Sequence, residues 1–374
     1  MNDMWLAVIG GKLQGVEILY LARKAGFQTI LIDKDPQPLA RKLCDRFLQF
    51  RFSSDRPIPV DCPPIDLILP AVEDEEVLAA IQIWAQSSHT PLVFDPAAYK
   101  ISSSKLASDE LFGKLQLPAP REWPNCGLPI VIKPSQSSGS RGVKIVHDQH
   151  ALQPYLDEHA RGRRHVIQEY LHGPSYSIEI IGSPGNYHPL QVTEIHIDAV
   201  YDCKRVTAPT NLSPPVIHAF QEMARSIAAA LALRGIMDIE VILHDNQLKL
   251  LEIDARFPSQ TPIAVYWSTE INMVAMLCDL FLDRTELTAP EYRRRCVSLE
   301  HIRVQGENLE VCGEHIMSSN DELVLTEKFF GADEALTSYR PEKRNWVATM
   351  IFAGESYEEV RAKRKKSYEA IRLR

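Results

Sequence analysis

Short hydrophobic runs alternate with segments of helical periodicity through the first hundred residues. The run from Trp5 to Ile9 ends at a pair of glycines, and residues 14–25 then repeat apolar positions at helical spacing. Further strand-like runs are predicted at 29–33, 66–70 and 91–95. Strands that alternate with helices predict a parallel sheet of the α/β class, with a ligand site beyond the carboxyl ends of the strands.

The turn after the first strand leaves three interpretations open. Residues 10–15 read G-G-x-x-x-G rather than the G-x-G-x-x-G of a dinucleotide site, although Asp33 ends the second strand as a ribose ligand would. An NAD-dependent dehydrogenase is therefore one alternative, and a simple tight turn is another. In the third, Asp33 faces a ligand held by another domain, together with Lys12, Gln14 and Glu73.

A strand that carries a lysine near its end leads into a loop of small residues in the middle of the chain. Lys133 belongs to the strand predicted at 129–134, and the loop at 135–142 is rich in serine and glycine. Backbone N–H groups in such a loop can close over phosphate oxygens, while the lysine supplies a fixed positive charge. A mobile hairpin without a ligand explains the loop equally well.

Carboxylates converge on a second predicted hairpin, with strands at 235–243 and 247–254. Glu252 and Asp254 are two residues apart and share a face, which Glu240 can join from the partner strand. Three carboxylates on one face repel each other unless solvent, protons or cations neutralise them. Magnesium, which prefers oxygen ligands and bridges carboxylates to nucleotide phosphates, is the natural counter-ion, although exposed strand positions would also explain the acids.

Composition and charge narrow the class of protein. The 374 residues predict two or three domains, and 45% hydrophobic with 24% charged residues is typical of a globular protein. The formal net charge of −8 argues against a general nucleic-acid binder. Residues 361–374 are a strongly basic exception; such a run can bind polyanions, but the solvated face of a terminal helix explains it better. The chain has no apolar run long enough to span a membrane and no signal peptide, and its seven cysteines form no C-x-x-C pair, so a cytoplasmic protein is expected.

The order of these features resembles the ATP-grasp superfamily of carboxylate-amine ligases. The residues that carry the resemblance are Lys105, Lys133, the small-residue loop, Q-E-Y-L at 168–171, Glu240 and E-x-D-x-R at 252–256. The segments at 10–15, 200–203, 235–238 and 252–262 are similar to the pyrrolysine-biosynthesis ligases that join 3-methyl-D-ornithine to L-lysine. The resemblance implies an α/β ATP-grasp fold with a Rossmann-like domain at 1–101, a small lid domain at 102–182 and a catalytic domain at 183–374.

The resemblance also implies roles for individual residues. Contacts to ATP fall to Lys12, Asp33, Lys105, Lys133, Ser137, Ser138, Arg141, Gln168, Glu169, Tyr170 and Leu171, and two magnesium ions fall to Glu240, Glu252 and Asp254. Substrate contacts fall to Leu13, Gln14, Glu73, Glu179, Asp198, Asp202, Arg256 and Ser259, and the catalytic residues are Arg256, Lys133 and Glu252. Asp254 stands where many superfamily members have Asn. Many members also have a glutamate that binds ribose soon after the glycine at 173, where this chain reads P-S-Y, so the ribose ligand stays open.

The implied reaction forms an acyl phosphate from ATP and the carboxylate of 3-methyl-D-ornithine, which the ε-amine of L-lysine then attacks to give an isopeptide. Glu179, Asp198 and Asp202 are candidates for the base that deprotonates this amine. The expected partners are small molecules and a second copy of the chain in a homodimer, without nucleic acid or membrane. The alternatives are a ligase for another amino-acid pair, the dehydrogenase and a non-catalytic amino-acid or nucleotide sensor.

Overall fold

The computed structural model describes residues 4–53, 64–135, 142–160, 165–284, 294–318 and 321–373. The strands in chain order are β1 (Trp5–Ile9), β2 (Gln28–Asp33), β3 (Arg46–Gln49), β4 (Leu67–Pro70), β5 (Ile130–Pro134), β6 (Lys144–Val146), β7 (His165–Glu169), β8 (Ser175–Ser183), β9 (Asn186–Pro189), β10 (Thr193–Ile197), β11 (Cys203–Ala208), β12 (Gly235–His244), β13 (Gln247–Asp254), β14 (Cys296–Gln305), β15 (Asn308–Val311), β16 (Val324–Glu327), β17 (Glu334–Thr337) and β18 (Asn345–Gly354). The helices are α1 (Leu13–Lys24), α2 (Glu75–Ser88), α3 (Pro96–Ser102), α4 (Lys105–Lys114), α5 (Gln149–Ala160), α6 (Pro214–Ala230), α7 (Thr261–Thr269), α8 (Met273–Phe281), α9 (His315–Ser318) and α10 (Tyr357–Arg372).

The N-terminal sheet is parallel and has the strand order β3-β2-β1-β4. The prediction of β1, α1, β2 and β4 is confirmed, but the strand predicted at 91–95 is wrong, because Leu92 makes only an isolated bridge to Ile68. Asp95 ends the extended segment by capping α3, accepting the N–H groups of Ala97 and Ala98 at 3.0 Å each. The fourth strand is instead β3, whose residues are half-buried or exposed and give no continuous apolar run.

The middle of the chain forms the small sheet β6-β5-β7, in which β5 and β6 make the predicted antiparallel hairpin. The next strand, β8, already belongs to the large sheet. The change from the small sheet to the large one therefore falls between Glu169 and Ser175, ahead of the predicted domain boundary at 182.

The large sheet contains eleven strands in the described part of the chain. Its main path runs β13-β12-β8-β10-β11-β14-β18-β17-β16, with β9 paired to β8 and β15 paired to β14. The predicted hairpin of β12 and β13 is confirmed, and its turn at Asp245 and Asn246 has positive φ at both residues, as a two-residue hairpin turn requires. The basic segment forms α10, whose Val360 and Ile371 face inward as expected.

The first and last parts of the chain share one hydrophobic core. Side chains of α1, α7, α8 and β14 belong to the same buried cluster, so the N-terminal sheet is packed against the large sheet. The six cysteines in the described ranges are free thiols. Among the helices of those ranges, none has the length and apolar character to cross a bilayer.

Candidate active site

Two rows of polar side chains cross β8, β12 and β13 on one face of the large sheet. The first row contains Glu179, Asp238 and Asp254, and the second contains Ser177, Glu240 and Glu252. Directly opposed residues of antiparallel strands point to the same side, so the six side chains form a compact grid. The prediction that Glu240, Glu252 and Asp254 share a face is confirmed. Asp238 was missed, although its position two residues before Glu240 places it on that face.

The carboxylates of this grid are fully or partly buried and close enough to repel each other. Burial raises the pKa of Glu240 to about 8, and the charges of Asp238 and Glu252 add to the effect. Burial likewise raises the pKa of Asp254 to about 7, against the opposing charge of Arg256. The grid therefore favours a bound cation, because a positive charge would relieve both burial and repulsion.

Lysines from the two elements ahead of the large sheet reach the grid. Lys105, in the first turn of α4, places Nζ 2.5 Å from Glu252 Oε1. Lys133 on β5 is partly buried, which lowers its pKa, while Glu252 acts in the opposite direction. The N–H of Lys105 donates to the carbonyl of Ser135, two residues beyond Lys133, at 3.0 Å, so the two predicted phosphate ligands come from adjoining segments.

Arg256 joins the grid to the N-terminal sheet. Its Nη2 lies 2.7 Å from Asp254 Oδ2 and 2.8 Å from Glu73 Oε1, and Gln14 Nε2 donates to the same oxygen of Glu73 at 3.0 Å. Four predicted residues therefore form one chain of contacts. The N-terminal turn reaches the large sheet through Gln14 and Glu73.

The other predicted residues of the N-terminal turn lie beside this chain of contacts. Asp33 accepts the N–H of Gly11 at 2.6 Å and that of Asp35 at 2.8 Å, so its carboxylate already stabilises the turn. Lys12 is exposed ahead of α1, and Leu13 is partly buried against the core. Asp33 is thus committed to the turn, whereas Lys12 is open to a ligand.

The hinge, defined as residues 168–171, connects the small sheet to the large one. Gln168 and Leu171 are buried. The carboxylate of Glu169 accepts hydrogen bonds from the backbone N–H of Arg121 at 2.9 Å and from the Nε of Arg121 at 2.8 Å. Burial opposes ionisation of Glu169, but these bonds to Arg121 lower its pKa. Tyr170 N–H donates to the carbonyl of Pro129 at 3.1 Å. These contacts fix the shape of the hinge. The predicted ATP contacts Ser137, Ser138 and Arg141 lie outside the described residues.

Two buried glutamates surround the first turn of α7. Glu17 of α1 accepts the N–H of Ile263 at 2.9 Å through Oε2, and Glu179 accepts from the hydroxyl of Thr261. Burial raises the pKa of Glu17 to about 8 and that of Glu179 to about 7. The second oxygen of Glu179 is buried without a hydrogen-bond partner among the described residues.

A third glutamate, Glu314, approaches the same helix end from the segment before α9. The side chains of Gln260 and Ser259, the latter a predicted substrate contact, lie near its carboxylate. Burial raises its pKa to about 7, Asp202 adds to this, and Arg256 opposes it. Glu314 is only partly buried. Sequence reasoning missed both Glu17 and Glu314, because neither belongs to a motif and both arrive from distant segments.

The turn between β10 and β11, residues 198–202, holds the remaining predicted acids. Asp198 Oδ1 accepts the N–H of Val200 at 2.9 Å and that of Asp202 at 3.0 Å. Asp202 Oδ2 in turn accepts the N–H of His315 at 3.0 Å and contacts Nδ1 of that side chain. Both carboxylates therefore serve to hold the turn and the neighbouring segment in place.

The predicted metal ligands Glu240, Glu252 and Asp254 lie together on the grid. In the ranges that the structure covers, no three histidine, cysteine or carboxylate side chains form a ready metal cage. Glu252 contacts Lys105 and Asp254 contacts Arg256, but Asp254 Oδ1 is buried without a partner among the described residues. An oxygen-only set of repelling carboxylates with an unsatisfied buried atom fits a hard divalent cation.

Comparisons with known proteins agree with this geometry. A family model described as an ATP-grasp domain matches residues 102–260. The chain is 35% identical to a 3-methyl-D-ornithine–L-lysine ligase of Methanosarcina mazei, over 100% of this chain and 99% of that protein. A ligase of the same name from Methanosarcina barkeri is 33% identical, over 99% of this chain and 98% of the relative.

Solved structures show the same fold at low sequence identity. An N5-carboxyaminoimidazole synthetase of Staphylococcus aureus complexed with ADP has a TM-score of 0.70 at 13% identity, covering 98% of this chain and 99% of its own. The biotin carboxylase domain of a Hydrogenobacter thermophilus 2-oxoglutarate carboxylase, solved with MgADP and bicarbonate, has a TM-score of 0.72 at 14% identity, covering 99% and 90%. The predicted α/β ATP-grasp fold is thereby confirmed. The chain belongs to the family of the 3-methyl-D-ornithine–L-lysine ligases, within the ATP-grasp superfamily.

Proposed function

We propose that the protein uses ATP to join 3-methyl-D-ornithine to the ε-amine of L-lysine, releasing ADP and phosphate. The observation that carries this proposal is full-length identity of 35% to a ligase of that name. The two rows of side chains, with Lys105 and Arg256 in contact with them, support the same conclusion. The family relationship favours a ligase over the dehydrogenase and the sensor considered above.

The reaction needs activation because a carboxylate has no usable leaving group toward an amine. Transfer of the γ-phosphoryl of ATP to the carboxylate supplies one, with Lys105 and Lys133 neutralising charge on the phosphates. Glu240, Glu252 and Asp254 would hold magnesium, two ions in our proposal, which supplies charge neutralisation of the phosphates when bound. Hinge backbone groups at 168–171 would hold the adenine.

Arg256 is proposed to orient the reacting carboxylate. Its guanidinium is already fixed by Asp254 and Glu73, and a fixed fork of N–H donors suits a carboxylate or an acyl phosphate. Both contacts use Nη2, and the Nε group is buried without a partner among the described residues, so the guanidinium retains donor capacity.

Glu314 is proposed to receive an ammonium group of an amino-acid substrate. It is partly buried, lies beside Ser259 and faces the charge of Arg256. Asp198 and Asp202 are bonded within their own turn, and Glu179 is fully buried. Glu314 is therefore better placed than these three residues to bind an ammonium group from solution. Glu179, Asp198 and Asp202 stay the predicted candidates for the base that deprotonates the ε-amine.

We further propose that the protein acts as a cytoplasmic homodimer, with domains at 1–101, 102–182 and 183–374. The parallel N-terminal sheet and the two later sheets support a division into three, and the change of sheet after Glu169 favours an earlier end for the second domain.

The test is a coupled assay of ADP release with pairs of amino acids, followed by mass spectrometry of the product. We expect a species with the combined mass of 3-methyl-D-ornithine and L-lysine less one water, formed only with ATP. A product from a different acid and amine, and none from this pair, would overturn the substrate assignment but leave a ligase. NAD reduction without ADP release would overturn the ligase itself.

A further inference from the structure

The first row of the grid contains a buried carboxylate oxygen that no step above uses. Glu179 on β8 is 0% exposed, and its Oε2 has no hydrogen-bond partner among the described residues. Its other oxygen accepts from the hydroxyl of Thr261. Because a buried acceptor without a partner is costly, this oxygen marks a place for a donor that comes from a ligand.

Asp238 lies directly opposite Glu179 on the neighbouring strand β12, and we call these two residues the acid pair. Both side chains point to the same side of the sheet, and the Cβ atoms of directly opposed residues lie about 5 Å apart. One donor group can therefore reach both carboxylates. The hydroxyl of Ser177 donates to Asp238 Oδ1. Asp238 is partly exposed, so a ligand meets it before it meets the fully buried Glu179.

The cationic side chains at the grid contact the neighbours of the acid pair but not the pair itself. Lys105 contacts Glu252 of the second row, and Arg256 contacts Asp254 at the other end of the first row. In the part of the chain that the structure describes, neither member of the acid pair forms a salt bridge to a lysine or an arginine. The partner that the acid pair lacks is therefore a cation that donates hydrogen bonds.

An ammonium group suits the acid pair better than magnesium does. It has three N–H donors, and each hydrogen bond spans about 2.9 Å from nitrogen to oxygen. Magnesium requires octahedral oxygen ligands at about 2.0–2.1 Å and keeps several waters, which a fully buried carboxylate such as Glu179 does not favour. The predicted phosphate ligand Lys105 also contacts the second row, whereas the first row ends at Arg256.

We propose that the acid pair binds the α-ammonium group of 3-methyl-D-ornithine, and that Asp238 thereby selects an α-amino acid as the substrate to be activated. The inference rests on the proposed function, in which Arg256 orients the reacting carboxylate. Arg256 contacts Asp254, which lies directly opposite Asp238, and the α-nitrogen is attached to the carbon next to the carboxyl carbon. A carboxylate held by Arg256 therefore brings its α-ammonium to the acid pair. Glu314 stays available for another ammonium group, and Glu179 then serves as an acceptor rather than as the base.

The experiment measures binding by calorimetry to the enzyme saturated with MgADP, which supports no turnover. The ligands are 3-methyl-D-ornithine and 5-amino-3-methylpentanoate, which is the same molecule without its α-amine. Asp238→Asn should weaken 3-methyl-D-ornithine by about ten- to a hundredfold, the range for a hydrogen bond to a charged group. It should weaken 5-amino-3-methylpentanoate by less than about twofold, because this ligand has no α-ammonium to lose a partner.

A second variant and a control complete the design. Glu179→Gln should show the same pattern as Asp238→Asn, because it changes the second acceptor of the same ammonium, and it carries the test if Asp238→Asn does not fold. Asp245→Asn is the matched control, since it makes the same change of charge in the turn of the same hairpin, where the side chain is 90% exposed. It should leave the affinity for both ligands unchanged.

The outcomes separate this inference from the function on which it rests. Unchanged binding of 3-methyl-D-ornithine by Asp238→Asn, or an equal loss of affinity for the two ligands, would overturn the ammonium site. A larger loss of affinity for MgADP than for 3-methyl-D-ornithine would overturn it as well, because the acid pair would then be a metal site. Failure of the wild type to bind 3-methyl-D-ornithine, or to form the dipeptide, would instead overturn the proposed function.

Discussion

At the scale of single residues, the site combines many carboxylates with few cations. The grid on β8, β12 and β13 is contacted by Lys105 and Arg256, and each already makes an ion pair with one acid of the grid. Glu314 lies farther along and has no salt bridge to lysine or arginine among the described residues. The remaining negative charge is suited to magnesium near the grid and to an ammonium group near Glu314.

The grid predicts the effect of removing one metal acid. Glu252→Gln should lower kcat for ADP release by at least about a hundredfold, because a proposed magnesium ligand loses its charge and Lys105 loses its ion-pair partner. Steady-state kinetics and a circular dichroism spectrum check this, with the exposed Glu342→Gln as the control of equal charge change. Near-normal turnover of a folded Glu252→Gln variant would contradict the metal assignment.

The position of Glu314 predicts an effect on KM for an amino-acid substrate. Glu314→Gln should raise KM for one of the two amino acids by about ten- to a hundredfold while KM for ATP changes little, because an ammonium group loses its counter-charge. The exposed Glu307→Gln, in the turn after β14, provides the matched control. An equal rise in KM for all three substrates would show that Glu314 maintains the fold rather than binding a cation.

At the scale of elements, α7 is capped across the domain boundary. The residue before the helix, Gln260, makes no side-chain cap, and Glu17 of α1 instead accepts the backbone N–H of Ile263. A carboxyl at a helix start satisfies N–H groups that would otherwise lack partners. Packing of α1 against α7 therefore supplies the hydrogen-bond acceptor that the start of α7 needs.

This cap predicts a pH dependence of stability. Burial raises the pKa of Glu17 from 4.5 to about 8 in the folded state, so between these values the folded chain binds a proton that the unfolded chain releases. Stability from this group is therefore fully present below about pH 4.5 and is lost as the pH rises toward 8. Glu17→Gln mimics the protonated acid, so it should match the wild type near pH 5 and be more stable at pH 8.

Urea unfolding at pH 5 to 8 measures this difference, and parallel curves for the two proteins would contradict it. Glu17→Leu removes both the charge and the acceptor, so its free energy of unfolding should be about 1 kcal/mol or more below that of Glu17→Gln across this range.

The elements also show what sequence can predict here. The β12–β13 hairpin was predictable from its turn, and Glu252, Asp254 and Arg256 were placed on one face because side chains alternate along an extended chain. Glu240 lies opposite Glu252 through a register shift between Glu240 and Val241, which the alternation of side chains does not predict. Glu17 and Glu314 were not predictable, because each approaches residues 259–263 only after distant segments pack together. The strand expected at 91–95 was wrong because capping by Asp95 outweighs the apolar pattern.

At the scale of the whole molecule, a buried polar network joins the N-terminal sheet to the large sheet. Lys24 of α1 forms an ion pair with Glu334 of β17, and the hydroxyl of Tyr20 donates to the other oxygen of Glu334 at 2.6 Å. Trp267 of α7 donates to the Tyr20 hydroxyl at 2.7 Å. The network lies within the core shared by both parts, so we expect the N-terminal sheet and the large sheet to unfold together.

The different exposure of Lys24 and Glu334 predicts that replacing one costs more stability than replacing the other. Glu334 is 6% exposed and Lys24 is 23% exposed at the side chain. Lys24→Met leaves a buried carboxylate without its cation and should lower the free energy of unfolding by about 3 kcal/mol or more, whereas Glu334→Gln leaves a lysine that can reach water and should cost less. The double variant should be more stable than the sum of the two losses implies, because removing both charges avoids the unpaired carboxylate. Urea unfolding of the four proteins, followed by tryptophan fluorescence, measures the cycle; strictly additive losses would show that the pair contributes no interaction across the shared core.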